Sequence, residues 1–195
     1  MAFFMPVYNI VKKLGCALLL LLLMQSTSMA NVFSVNNPHI HKIGNGYVLN
    51  ANVSYPLTPR VIEALENGIP ITFFQEFQLI RPFPVLGNLL KWDKDLWHST
   101  LYYELRYHAL SDTFLLLSLD TRNQQSFSSL QSALHALGTI SNMNLPPKYT
   151  QDKKKPVLQI RSGLDLSALP TPMRPGVLLS SKWQLTSPWV NAVWP

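Results

Sequence analysis

From Tyr47 to Tyr55 the chain reads YVLNANVSY, in which, Val48 aside, apolar residues on odd positions alternate with polar ones on even positions. Tyr47, Leu49, Ala51, Val53 and Tyr55 fall on one side, and Asn50, Asn52 and Ser54 on the other. Side chains alternate across a β-strand, whereas the apolar stripe of a helix recurs every three or four residues. The period of two therefore demands a half-buried antiparallel strand. Related patterns recur in ITFFQEFQLIR (71–81), in 96–108 and 113–121 around the turn ALSDT, in VLQIRSGLDLS (157–167) and in GVLLSSKWQLTS (176–187). FLLLSLDT (114–121) is apolar on both faces near its middle, which predicts a central, covered strand.

Turn chemistry punctuates these runs. Gly44, Asn45 and Gly46 predict a tight turn between a first strand in NVFSVNNPHIHKI and the one from Tyr47. In LTPRVIEALENGIP, Thr58 is placed to cap a short helix, Pro59 suits its first position and Gly68 ends it. SFSSLQSALHALG predicts a second helix, with Ser126 as cap, Phe127, Leu130, Leu134 and Leu137 as stripe, and Gly138 as stop. PFPVLGNLLKWDKD (82–95) reads as a Pro- and Gly-marked mobile connection. Gly163, inside an alternating run, reads as a bulge. The expectation is a mainly β (α+β) domain: an antiparallel twisted sheet or β-sandwich of about seven strands with two short helices.

Residues 1–30 read as a signal peptide ahead of a single β-rich domain at 31–195. Lys12 and Lys13 precede the apolar block CALLLLLLM, and Ser28 and Ala30 mark a cleavage site after Ala30. The block is shorter than the roughly 20 residues of a membrane span. Export to the periplasm is therefore expected, with an uncleaved inner-membrane anchor as the alternative. The single cysteine, Cys16, lies in the leader. That leaves the domain without a disulfide, a thiolate metal site or a cysteine nucleophile. Two of the 16 basic residues and none of the 10 acidic ones precede Asn31, so the formal charge drops from +6 to +4. The Lys153–Lys155 run, bounded by Asp152 and Pro156, reads as a solvated loop, and no nucleic-acid partner is expected.

The candidate chemistry centres on YYELRYHALS (102–111). Glu104, Arg106 and His108 share one strand face, with about 7 Å between successive members. A histidine base oriented by Glu104, with Arg106 gripping an anion, is one reading. A polar strand face closed by an ion pair is the other, and it is favoured because no nucleophile or oxyanion donor accompanies the row. Were that face covered, Arg106 would become a structural organiser. His39 and His41 also share a face, but two ligands are too few for a metal. Asp120 and Asp165 sit at strand ends, where aspartates finish turns. The elbow G-x-S-x-G, H-E-x-x-H and phosphate loops are absent. No catalytic residue, metal or cofactor is expected. Trp97 and Trp183 read as core, whereas Trp92 and Trp194 suit either a core end or a binding surface. Trp92, Glu104, Arg106 and His108 are the candidate binding residues.

ALENGIPITF, YELRYHALSDTF, FSSLQSALHALG, IRSGLDLSALPTPMRP and WQLTSPW follow one another in that order. Together they resemble the domain of unknown function 4390 family, small exported proteins of proteobacteria. The resemblance spans residues 40–190. It implies an accessory role at the cell envelope, with a membrane protein such as a sensor kinase as partner, and it carries no catalytic residue. A non-enzymatic binding module is the leading expectation, and a hydrolase or lipid-handling enzyme of unrecognised type is the alternative.

Overall fold

A computed structural model describes residues 32–85, 90–150, 155–178 and 180–195. The expected leader and most of the 153–155 lysine run lie outside the described residues. Among those described, no helix is long and apolar enough to cross a membrane.

The described residues form two antiparallel sheets. Strands β1 (Ser34–Ile43), β2 (Gly46–Ser54) and β7 (Thr139–Asn144) make a three-stranded sheet in the order β1-β2-β7. The six-stranded sheet holds β3 (Ile71–Val85), β4 (Leu90–His108), β5 (Thr113–Ser118), β6 (Gln124–Phe127), β8 (Val157–Leu164) and β9 (Val190–Asn191). Its order is β6-β5-β4-β3-β8-β9. Helices α1 (Pro59–Glu66) and α2 (Leu130–Gly138) accompany the sheets, with the short helices α3 (Pro147–Thr150) and α4 (Arg174–Leu178). The C-terminal segment joins the two sheets along one edge. Ala192 N donates to Leu158 O of β8 at 2.8 Å, Val193 N donates to Pro38 O of β1 at 3.0 Å, and Ile40 N donates to Val193 O at 2.8 Å.

The alternating runs supply the core. Leu49, Ala51, Val53 and Tyr55 are buried from β2 onward, and Phe73, Phe77, Leu79, Leu105, Leu158 and Ile160 are buried from the large sheet. Phe33 and Phe73 both meet the Tyr55 ring edge-on, with centroids 4.9 and 5.2 Å away. Truncating a buried phenylalanine of this kind costs roughly 3–5 kcal/mol. Among these apolar groups runs a polar chain. Gln75 Nε2 donates to Tyr55 OH at 2.9 Å and to Leu137 O at 2.8 Å. Ser162 Oγ donates to Phe74 O at 2.6 Å. With its proton committed there, Ser162 accepts from Tyr55 OH, 3.0 Å away. The chain ties β2, β3, β8 and a terminal carbonyl of α2 into one satisfied network.

Several local expectations need correction. The segment 82–95 is not a loop at its described positions, because β3 and β4 carry their pairing through it to Val85↔Leu90. Pro82 and Pro84 are tolerated because β8 pairs with β3 only as far as Ile80, which leaves the proline side an edge. The strand expected over 176–187 begins instead in the helix Arg174–Leu178, and among the described residues strand contact survives only as a Gly163↔Thr186 bridge. Pro170, Pro172 and Pro175 withhold ladder donors, and the second helical position is one where Pro175 needs none. The cap of α2 is Ser129, whose hydroxyl accepts from Ser132 N at 3.2 Å. Ser126 belongs to β6. Thr58 precedes α1 as expected, but its hydroxyl donates to Lys182 O at 2.9 Å instead of capping.

Two glycines have packing reasons. Gly163 keeps regular register opposite Phe74 and is not a bulge. A Cβ there would lie 2.6 Å from both Phe74 Cζ and Thr186 Oγ1. Gly138 is the last residue of α2, and a Cβ on it would lie 2.1 Å from Val53 O. Strand β5 does sit between β4 and β6, yet only Leu116 on it is fully buried, so its outward face is only half covered.

Candidate functional site

Strands β3 and β4 outrun their neighbours. β8 leaves β3 after Ile80↔Val157, and β5 pairs with β4 only from Tyr103 onward. Beyond Ile80 the two strands continue as a hairpin arm, with no third strand paired to it among the described residues, through the pairs Arg81↔Lys94, Pro82↔Asp93, Phe83↔Trp92, Pro84↔Lys91 and Val85↔Leu90. At about 3.3 Å per residue the arm reaches roughly 16 Å past the sheet. Phe83 and Trp92 face each other across the ladder, and they keep 47% and 64% of their surface in solvent. Alternation sets Arg81 and Lys94 on the same face as this aromatic pair, and Pro82 with Asp93 on the opposite face.

Glu104 and Arg106 are brought together as expected. Arg106 Nε donates to Glu104 Oε1 at 2.5 Å, and the arginine stays 58% exposed while the glutamate is largely covered. The face is therefore open, and Arg106 is not an interior organiser. His108 does not join them. Its Nδ1 lies 2.9 Å from Ser111 Oγ, which lies 2.7 Å from Thr113 Oγ1, so the imidazole belongs to the β4–β5 turn. Trp92 stands twelve residues before Glu104 on the same strand, on the order of 40 Å away along it. The four residues do not make one site.

The outer face of the large sheet holds a second ion pair that sequence reading did not single out. Arg161 Nε donates to Glu76 Oε2. The guanidinium lies 4.7 Å from the Trp189 ring centroid and 5.9 Å from that of Phe74. The pair is β3–β8 cross-strand, Glu76↔Arg161, so only the register reveals it.

Among the described residues, open grooves flank the sandwich, two of them lined by helices. One of about 550 Å³ lies between the end of β2 and α2, lined by Asn52, Ser54, Tyr55, Leu130, Leu134 and His135 among others. The other, of about 470 Å³, lies between α1 and α4 beside Arg60, Glu63, Met173 and Trp183. Neither gathers three titratable side chains. Burial pushes the Tyr55 phenol from 10.0 up to about 12, against the opposing hydrogen bonds of Ser162 and Gln75. Among the described residues no group of three or more His, Cys, Asp or Glu could hold a metal. The His39 and His41 rings stack at 6.0 Å. Asp120 Oδ2 accepts from Tyr102 N at 3.0 Å, and Asp165 caps the turn that Ser167 completes. Trp183 is core, while Trp194 donates from Nε1 to Pro156 O at 2.8 Å and packs on Tyr47.

These features define an antiparallel β-sandwich that presents an aromatic hairpin arm. The chain belongs to the family described as domain of unknown function (DUF4390), whose model matches residues 30–192. No curated protein and no solved structure matches it significantly.

Proposed function

We propose that the chain is a non-enzymatic binding module of the cell envelope that engages its target through the β3–β4 arm. The supporting observation is the Phe83–Trp92 pair. Two large aromatics stand opposite each other on a hairpin that, among the described residues, pairs with no third strand, and both are exposed. Exposed aromatics on a projecting element mark contact sites, because binding recovers the apolar surface that folding left uncovered. The basic, apolar leader supports export to the periplasm. An accessory role beside a membrane protein, a sensor kinase for instance, accords with a module held at that surface.

Envelope fractionation of cells that make the full chain tests the reading. The natural chain is expected to co-fractionate with a high-molecular-weight or membrane-bound species, and the Phe83→Ala/Trp92→Ala variant to leave it. Equal fractionation of both chains, with equal melting temperatures, would remove the arm as the binding element.

A further inference from the structure

We infer that the arm docks its aromatic face into the headgroup layer of an anionic phospholipid bilayer. This rests on the arm being the binding element and adds what it binds. The register gives the argument. On one face, from the neck outward, come the cross-strand pair Arg81–Lys94 and then the pair Phe83–Trp92. On that face the exposed Lys94 lies beside the exposed aromatic pair, and an anionic headgroup layer accepts both, its phosphates meeting the ammonium and its interfacial zone the rings. Tryptophan favours that layer because its ring is apolar while its N–H stays hydrogen-bonded, and lysine reaches back to phosphate from a buried stem. Asp93, the acid nearest the aromatics, lies on the opposite face with Pro82.

The alternative mode, addition of a partner strand, is obstructed on both sides of the arm. Pro82 and Pro84 remove donors from the β3 edge. On the β4 side, Asp93, Lys94 and Asp95 place consecutive charges beside the register shift at Leu79/Ile80, both devices that protect an edge from pairing. The surplus of 14 basic over 10 acidic residues after Ala30 adds an attraction to anionic lipid.

The purified full-length chain, mixed with vesicles of phosphatidylglycerol and phosphatidylcholine, tests this directly. Brominated acyl chains are expected to quench part of the tryptophan emission, and Trp92→Phe to abolish that part. Phe83→Ala/Trp92→Ala is expected to lower the vesicle partition coefficient by roughly a hundredfold, about tenfold for each buried aromatic lost. Lys94→Glu and pure phosphatidylcholine should each lower it as well. The apolar N-terminal segment is common to all these proteins and holds no tryptophan, so the Trp92-dependent quenching reports the arm alone. Unchanged sedimentation of the double variant, or quenching that Trp92→Phe leaves intact, would overturn the inference. If in cells Trp92 touches a protein while bromolipid quenching is absent, the lipid assignment fails and the arm reading stands.

Discussion

Trp92 stands directly across the β3–β4 ladder from Phe83, past the last residue that β8 pairs. Two strands without a third cannot bury both faces, so the pair is exposed by topology. Phe83→Ala and Trp92→Ala should each cost no more than the roughly 0.2–1 kcal/mol of a cross-strand pair. Phe73→Ala in the core should cost about 3–5 kcal/mol. Urea titrations of the three variants check the contrast, and a large loss at Trp92 would mean that the arm is packed.

The two ion pairs of the outer sheet face should differ. Arg106 is mostly solvated, so Arg106→Ala should change stability by at most about 1 kcal/mol. Arg161 also lies against Trp189 and Phe74, so its removal takes packing along with charge. Arg161→Ala should therefore destabilise more than Arg106→Ala, with Arg161→Lys in between. Thermal melts at low and high salt would show this, and an Arg161 effect that vanishes in salt would deny the packing share.

Tyr55 makes alkaline stability a reporter of the polar chain. Its folded pKa of about 12 stands above the 10.0 of the free side chain, so from about pH 10 to 12 the unfolded state binds fewer protons. Stability should fall with rising pH across that window, having been full below it. Tyr55→Phe should cost about 1–3 kcal/mol at neutral pH, because Gln75 and Ser162 lose a partner, and should flatten the alkaline decline. Tyr103, also raised by burial, supplies a residual slope. An unchanged slope in Tyr55→Phe would contradict the assignment.

Gly138→Ala should cost roughly 1–3 kcal/mol, since a methyl group would meet the Val53 carbonyl and force α2 off β2. Gly176→Ala is the control, because nothing lies within 4 Å of its Cβ position. Equal melting temperatures for the two variants would refute the close approach.

The alternation of Tyr47–Tyr55 and of 157–164 was legible because, Val48 and Gly163 aside, one face of each strand is more buried than the other. The arm was not, because Pro82, Pro84 and Gly87 carry loop chemistry, and only the absence of a third strand lets the two prolines stay in a ladder. Val177, Trp183 and Leu185 alternate like a strand yet are buried from a short helix and the turns after it, since period alone does not report missing donors. Glu104 and Arg106 could be paired from spacing on one strand. Glu76 with Arg161, and Phe83 with Trp92, depend on register between strands, which single-chain patterning does not contain.

Site-specific photocrosslinking in intact cells tests the central claim most directly, with the photoreactive residue placed at Trp92 or, as a control, at Leu110. Leu110 is 96% exposed in the β4–β5 turn at the other end of β4. Adducts from position 92 and none from position 110 are the predicted result. Adducts from position 110 alone, or none from either position, would contradict a binding role for the arm.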